Sequence, residues 1–407
     1  MEELDFRAGP YSQYNALLRE IEYAHTGINT TYINTYPRGS CMLERFKPKA
    51  GDSERVTVES LHEVVTAIFE KMGVSRPDSE EAANVLTMTD LRGVETHGVS
   101  NMLRAYVDQY TSGQVNPNPK WEIERETPGT AVINADRGLG IILGRRAMDI
   151  AIEKAKTVGV GIVTMNNGGH LGAVGHFSMH AAKNDMVGMC ATAAGTGVLP
   201  TFASEPRFGT NPISIAAPGN EEAPLLFDAA TSQIAGNKFS LARRVGSDLL
   251  PGWIADKEGT PILEETPVPE DGWYGSLLPV GGTRENGSHK GYGFMLMVEV
   301  LGAFLSGSVP GMFDTERFES GYKHYFAAYN IAAFTDVDQF KAKMDKMLQM
   351  LRETRPAAGH DRVLYPGLAE YEDEQDRRAN GVPLHKEVME WFDLMTGELG
   401  VPALERV

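Results

Sequence analysis

Hydrophobic residues recur with helical spacing in three segments of the first third of the chain. The first predicted helix opens at Thr57 or Val58 and runs to Lys71, where Gly73 provides a stop signal. The second begins after Ser75 and the third follows Ser100, with the segment RGVETHG (92–98) between them. Before these helices, only residues 11–25 show an amphipathic pattern, so we interpret residues 1–55 as an N-terminal extension.

From about residue 128 the pattern changes to short apolar strands that alternate with helices. Predicted strands cover 130–135, 159–165, 186–193, 212–218, 224–230 and 324–334, with helices at 144–159 and around 176–185. This alternation predicts an α/β layer with largely parallel strand pairing. After a loop-rich stretch at 250–287, residues 289–307 form a strongly apolar helix that should be buried, and 336–354 predict a further helix.

Composition and charge narrow the possible partners. The 407 residues are enough for two or three domains, and the formal net charge of −17 opposes binding to nucleic acid or to acidic membranes. No apolar run approaches the ~18 residues of a membrane span, and the N-terminus lacks a signal-peptide pattern, so we expect a cytosolic protein. Cys41 and Cys190 are two scattered thiols, which we expect to be reduced. An anionic ligand would need local cations or backbone amides.

A glycine-rich segment follows the predicted strand at 130–135. Gly138, Gly140 and Gly144 precede a helix, as in a dinucleotide-binding loop, where glycines let a pyrophosphate approach the backbone. However, the spacing is G-x-G-x-x-x-G, and Asn166 and Asn167 stand where an acid should end the next strand. We therefore favour close packing of this helix against the sheet.

Two loops carry histidines that suit proton transfer. His170 follows a predicted buried strand and is flanked by glycines, which places an imidazole at the carboxyl edge of the sheet. Packing remains an alternative for His170, and solvent contact or packing is favoured for His176 and His180. Arg92 precedes His97 by five residues, a spacing compatible with carboxylate binding next to a proton donor, although a solvated helix end is also possible.

Two further segments carry polar residues at element ends. His289, Lys290 and Gly291 open the apolar helix, where amides and an ammonium together could bind an anion. Asp228 ends a predicted strand and is followed by small residues, so it could bind a ligand, although helix capping is the stronger alternative.

These segments, in this order, resemble the malate/L-lactate dehydrogenase family of the second, non-Rossmann type. That family includes ureidoglycolate, sulfolactate and diketogulonate oxidoreductases and piperideine-carboxylate reductase. The resemblance runs from about residue 56 to about 395. It is carried by RGVETHGV, ADRGLG, GVGIVTMNNGGHLGAVGHFSMHAA, FGTNPISIAAP, FDAATSQIAGNK, GSHKGYGFMLMVEVL and YPGLAE.

The resemblance implies an α/β fold in two parts and a homodimer. A non-Rossmann mixed-sheet domain at 128–307 would bind NAD or NADP, and a helix-rich domain from 56–127 and 308–407 would serve substrate binding and dimerisation. His97 matches a proposed proton donor and His170 a proposed proton acceptor, with Arg92 and Thr96 beside them. The expected cofactor-binding residues are His170, Gly172, Asp228, Ala229, Ala230, Lys238, His289, Lys290, Gly291, Pro366, Gly367 and Leu368.

Three positions depart from the family pattern. Thr96 replaces the usual Ser, Asn101 stands where an Arg is common, and Leu368 replaces the Glu of a P-G-E turn. These changes suggest a divergent substrate.

The main hypothesis is hydride transfer between NAD(P) and a small 2-hydroxy or 2-oxo carboxylate, without a metal. An NAD(P)H-dependent imine-acid reductase is the alternative. A metal-dependent hydrolase or lyase that uses His170, His176 and His180 is the alternative from a different class.

Overall fold

The computed structural model of this chain describes residues 44–49, 51–270, 276–314 and 319–407. The predicted amphipathic stretch at 11–25, most of the 1–55 extension and Cys41 lie outside these residues. Cys190 is buried as a free thiol.

A seven-stranded mixed sheet lies at the centre of the fold, in the order β2-β3-β4-β8-β5-β6-β7. A separate two-stranded sheet joins the two ends of the described chain by pairing β1 with β9. The strands are β1 (Ser53–Val56), β2 (Glu122–Glu126), β3 (Thr130–Asn134), β4 (Val160–Gly168), β5 (Met186–Ala193), β6 (Ile213–Ala217), β7 (Leu225–Ala229), β8 (Tyr322–Asn330) and β9 (Val382–His385).

The predicted parallel pairing is wrong for most of the sheet. Only β3 and β4 pair in parallel, and the remaining neighbours in the sheet are antiparallel. The reason is β8, which returns from far along the chain and inserts between β4 and β5, antiparallel to both. The crossover that joins β4 to β5 keeps these two strands in the same direction, but they are not neighbours.

Within the described residues, ten α-helices flank the sheets, and the helices predicted in the first half of the chain are confirmed within a few residues. A helix packs where its apolar face meets the sheet, as α4 does on β4 and β8. The helices are α1 (Val58–Lys71), α2 (Arg76–Leu91), α3 (Val99–Thr111), α4 (Gly140–Val158), α5 (Gly175–Ala182), α6 (Lys238–Val245), α7 (Ser288–Val298), α8 (Val337–Arg352), α9 (Leu368–Asn380) and α10 (Lys386–Leu399).

The largest hydrophobic core runs without interruption from the helical part into the sheet. It contains Ile68 of α1, Leu86 of α2 and Phe392 of α10 together with Ala151 of α4 and Phe326 of β8. The sheet also reaches beyond residues 128–307, because β2 precedes this range and β8 follows it. The division of the chain into two domains therefore stays a prediction.

The apolar segment at 289–307 is buried on one side only, whereas the sequence predicted a buried helix. It forms α7 and then a π-helical turn (Glu299–Ala303), and one side of it faces outward. The exposed apolar side chains of this segment, which we call the α7 face, are Phe294, Leu296, Met297, Val300, Phe304 and Leu305. In the part of the chain that the structure describes, no helix is both long enough and apolar enough to cross a bilayer.

Gly161 of β4 allows α4 to approach the sheet closely. A Cβ at this position would lie 1.9 Å from the carbonyl oxygen of Ala151. We expect Gly161→Ala to lower the free energy of unfolding by ~1–3 kcal/mol, because the helix must move away from the strand. Urea unfolding measures this. Gly197→Ala is the matched control, since a Cβ there meets no atom within 4 Å. Equal stability of the two variants would contradict this account.

Candidate active site

A cleft of about 740 Å³ opens between the carboxyl end of α2, the start of α5, the end of β7 and the turn before α9. Arg92, Thr96 and His97 line one side of it. Gly172 and the segment Asp228–Ala230 line another part, together with Pro366 and Gly367. Most of the residues predicted to act in catalysis and cofactor binding therefore meet in one cavity.

The turn that carries His97 is fixed by a buried carboxylate. Asp90 in the last turn of α2 accepts a hydrogen bond of 2.6 Å from the amide of Val99, the first residue of α3. Gly98 packs directly over this carboxyl group, where a Cβ would lie 2.2 Å from Oδ1 of Asp90. Burial raises the pKa of Asp90 to about 7, against the Val99 bond that lowers it. The backbone on either side of Gly98 thus has little freedom.

Thr96 and His97 interact directly inside this turn. The Thr96 hydroxyl lies 2.9 Å from Nδ1 of His97. Asn237, the N-cap residue of α6, also holds this turn, because its Nδ2 donates to the carbonyl oxygen of Thr96 at 2.7 Å. The imidazole of His97 therefore faces the cleft with one of its ring nitrogens already paired.

His170 stands behind His97, in the loop between β4 and α5. The two rings stack with centroids 5.8 Å apart and planes 11° apart. Nδ1 of His170 lies 2.7 Å from the hydroxyl of Tyr106 on α3, and the amide of Gly172 donates to the same nitrogen at 3.1 Å. His170 is not among the side chains that line the cleft, so of the two histidines His97 is the one the cleft exposes.

The glycines of the 138–144 segment place the His170 loop. A Cβ at Gly140 would lie 2.5 Å from the carbonyl oxygen of Gly169 and 2.8 Å from that of His170. Gly144 packs in the same way against Leu171 and Phe177. These glycines therefore allow close packing of α4, as their spacing in the sequence predicted.

The pKa values of His97 and His170 lie well below neutral pH. Loss of hydration lowers the pKa of His97 to about 4, and the charge of Lys238 acts in the same direction. Burial, followed by the neighbouring His97 and His324, lowers the pKa of His170 to about 3. Lys238 itself has a lowered pKa because it is largely desolvated, although the charge of Glu95 opposes this shift. It acts on His97 electrostatically and does not line the cleft.

Arg92 has a carboxylate partner of its own. Its Nη1 lies 3.1 Å from Oε2 of Glu374, and Nη2 donates to the carbonyl oxygen of Gly367 at 3.5 Å. The guanidinium therefore connects the end of α2 to the turn before α9 while it lines the cleft.

Asp228 caps a helix, but not the one that follows it in the chain. Its Oδ2 accepts a hydrogen bond of 2.7 Å from the amide of Gly175, the first residue of α5. Desolvation raises the pKa of Asp228 to about 6, and the Gly175 bond opposes this. The carboxyl group lines the cleft, so it can meet a ligand and a helix terminus together.

Besides His170 and Lys238, four more of the expected cofactor-binding residues lie outside the cleft lining. His289 and Lys290 are exposed in the first turn of α7. Gly291 is buried, and a Cβ there would lie 2.5 Å from the amide nitrogen of Val280, which does line the cleft. Leu368 points into a small apolar cluster with Tyr365.

The three histidines of the metal-site alternative have separate partners. His176 lies 3.8 Å from Glu81, and Nε2 of His180 lies 2.6 Å from Asp149, whereas His170 contacts Tyr106. Within the described ranges, no group of three or more His, Cys, Asp or Glu side chains could hold a metal ion.

The sequence matches the family model described as malate/L-lactate dehydrogenase over residues 56–393. The chain belongs to the malate/L-lactate dehydrogenase family. It is 37% identical to malate dehydrogenase of Pyrococcus horikoshii, over 86% of this chain and 97% of that protein. It is 34% identical to L-sulfolactate dehydrogenase of Methanocaldococcus jannaschii, over 84% and 96%. The solved malate dehydrogenase of Entamoeba histolytica superposes with a TM-score of 0.82 at 32% identity, covering 86% and 99%.

Two less similar proteins bear on the chemistry. Ureidoglycolate dehydrogenase (NAD(+)) of Escherichia coli is 27% identical over 83% of this chain and 95% of its own length. Delta1-piperideine-2-carboxylate reductase of Pseudomonas syringae has a TM-score of 0.71 at 25% identity, covering 84% and 99%. The proteins that this chain resembles thus include dehydrogenases and a piperideine-carboxylate reductase.

The structure shows which groups contact Thr96 and Asn101, two of the residues that depart from the family pattern. Thr96 supplies the hydroxyl beside His97. Asn101 donates to the carbonyl oxygen of Glu95 at 2.6 Å. A cation does lie beside it, because Nη2 of Arg244 is 3.5 Å from Oδ1 of Asn101 and donates to the carbonyl oxygen of Ser100 at 3.1 Å.

Sequence reasoning missed three aromatic side chains around His170. Tyr106 binds Nδ1, the ring of Tyr322 meets His170 edge-on at 5.4 Å, and His324 donates from Nε2 to the carbonyl oxygen of Gly169 at 3.0 Å. Because the neutral ring of His324 carries its proton on Nε2, its Nδ1 accepts from the Thr192 hydroxyl, 3.1 Å away. In the sequence, each of these residues is a polar ring within an apolar helix face or strand. Such a pattern predicts that the ring is buried, but it does not predict which residue the ring contacts.

The fully buried His324 makes stability depend on pH. Burial lowers its pKa to about 4, although the bond to Gly169 opposes the shift, whereas the unfolded chain binds a proton near pH 6.5. Below pH 6.5 the unfolded state therefore holds more protons, and stability falls as pH falls toward 4, by up to ~1.4 kcal/mol per pH unit for this group.

We expect His324→Asn to reduce the slope of unfolding free energy against pH between 6.5 and 5, whatever its absolute stability. Urea unfolding at several pH values measures this slope. An unchanged slope in His324→Asn would show that His324 is not neutral in the folded state.

Proposed function

We propose that this chain transfers a hydride between NAD(P) and a small 2-hydroxy or 2-oxo carboxylate, with His97 as the acid/base. The observation that carries the proposal is the position of His97 in the wall of the cleft that Gly172, Asp228 and Gly367 also line. Family membership supports an oxidoreductase acting on a hydroxyacid.

The cleft fits a dinucleotide in size and backbone character. A volume of about 740 Å³ lies within the range of ligand sites. Backbone at the start of α5 is open to the cleft, and a Cβ at Gly367 would lie 2.8 Å from the amide nitrogen of Leu226. Cationic or titratable side chains that could meet phosphate charge on this anionic chain are Arg92, Arg145, His176, His180 and Lys183.

His97 would exchange one proton with the substrate in each turnover. A bound nicotinamide supplies or accepts the hydride at the carbon atom. In reduction, the His97 imidazolium gives its proton to the carbonyl oxygen; in oxidation, the neutral imidazole removes the hydroxyl proton. The low pKa of His97 favours the neutral form in the free protein, and an anionic substrate beside it would favour protonation.

Arg92 is the side chain proposed to orient the substrate carboxylate. It is in the same cleft as His97, and a planar guanidinium suits a carboxylate. Because Glu374 already occupies Nη1, the substrate would use the remaining N–H groups or displace Glu374.

We expect His97→Ala to lower kcat for 2-oxo acid reduction by ~10²-fold or more, because the proton donor is lost. NADH and NADPH oxidation against a panel of 2-oxo acids would be measured. His360→Ala, an exposed histidine outside the cleft, serves as the control. Wild-type turnover of the best substrate by His97→Ala would contradict the assignment.

The solved piperideine-carboxylate reductase favours an imine acid as the second candidate substrate. A protonated imine already carries the proton that a carbonyl must receive, so His97 should matter less. Comparison of pyruvate with and without methylamine, in the wild type and in His97→Ala, separates the two substrates.

We also propose that the chain forms a homodimer through the α7 face. Its side chains are apolar and exposed to solvent; for example, Phe304 is 52% exposed and Val300 is 49% exposed. Exposed apolar patches of this kind often mark sites of protein–protein interaction. The family resemblance independently implies a dimer.

Light scattering coupled to size exclusion should give twice the mass of one chain. Val300→Glu should shift the wild-type dimer toward the monomer, since it places a charge in the apolar contact. Leu263→Glu, at a 65% exposed leucine elsewhere, should leave the mass unchanged. A monomeric wild type would refute the proposed interface.

A further inference from the structure

The hydrogen bonds of His170 determine which of its nitrogens carries the proton. A backbone amide can only donate, and the amide of Gly172 donates to Nδ1 of His170 at 3.1 Å. Nδ1 is therefore an acceptor without a proton of its own. The Tyr106 hydroxyl, 2.7 Å from the same nitrogen, must then donate as well.

The groups around His170 make any other form costly. An imidazolium or an Nδ1–H tautomer would direct a proton at the Gly172 amide and lose that hydrogen bond, and the Tyr106 hydroxyl would have to change from donor to acceptor. The titratable groups packed against the ring are His97 from the turn before α3, Tyr106 from α3, and Tyr322 and His324 from β8. None of these supplies a negative charge, since burial holds the pKa of Tyr106 well above its usual value.

We propose that Tyr106 is a positioning residue of the active site: with the Gly172 amide, it holds His170 as a neutral imidazole whose proton is on Nε2. If the proposed function is right, His170 then offers a fixed hydrogen-bond donor. The proton exchanged in each turnover is left to His97, which faces the cleft and has a hydroxyl, not an amide, beside Nδ1. The two histidines thus differ in role because only one of them can change its protonation state.

Helix α3 provides a matched control for this role. Tyr110 lies one turn after Tyr106 and is also buried, but its hydroxyl has no hydrogen-bond partner among the described residues. Tyr106→Phe and Tyr110→Phe therefore remove the same atom from the same helix, and only the first removes a bond to His170.

The direct test is nitrogen-15 NMR of the full chain with labelled histidine, with the His170 signals identified by their loss in His170→Gln. The wild type should show the neutral Nε2–H tautomer, unchanged between pH 5.5 and 8. In Tyr106→Phe the Nδ1 signal should move toward the value of a nitrogen that has lost a hydrogen bond, and Tyr110→Phe should match the wild type.

Turnover provides the second readout. Tyr106→Phe should lower kcat up to about tenfold, the size of one hydrogen bond, with the KM for the dinucleotide unchanged, and Tyr110→Phe should have neither effect. A wild-type His170 that titrates between pH 5.5 and 8 or carries its proton on Nδ1 would overturn the proposal, as would equal spectra for the two Phe variants. Absence of turnover with every 2-oxo acid and imine acid would instead refute the proposed function and leave the NMR result to decide the role of Tyr106.

Discussion

The contacts of the Gly169 peptide fix the position of His170 behind the cleft. Its amide donates to the carbonyl oxygen of Gly138 at 2.8 Å, and its own carbonyl oxygen accepts from His324. Gly140 packs against the same peptide so closely that no side chain would fit. Because His170 follows directly, this one peptide places the imidazole that stacks on His97.

This arrangement depends on three distant parts of the chain. The start of α4 and the residues just before it supply glycines, β8 supplies His324 and Tyr322, and α3 supplies Tyr106. The insertion of β8 between β4 and β5 brings these parts together, since it puts a strand from residues 322–330 beside the end of β4. A sheet with β4 next to β5 would leave His170 without its buried neighbours.

Cationic side chains near the cleft differ in sign from the net charge of the chain. The chain carries a net charge of −17, and yet His97 in the cleft wall is close enough to Lys238 to feel its charge, and Arg92 lines the same cleft. Burial keeps His97 and His170 uncharged, which avoids two adjacent cations. For His97, which lines the cleft, the same loss of hydration lets an added negative ligand shift the protonation strongly.

The sequence by itself determined the helices α1 to α3, most strands of the sheet, and the segments that carry His97, His170 and Asp228. These features follow from local periodicity and from ordered motifs, which are properties of neighbouring residues. Tertiary structure alone decided the antiparallel insertion of β8, the outward α7 face, the pairing of Arg92 with Glu374 and the distance of His289, Lys290 and Leu368 from the cleft lining. It also decided the partner of Tyr106. Such contacts join residues up to hundreds of positions apart, and one-dimensional spacing contains no information on which buried polar groups will meet.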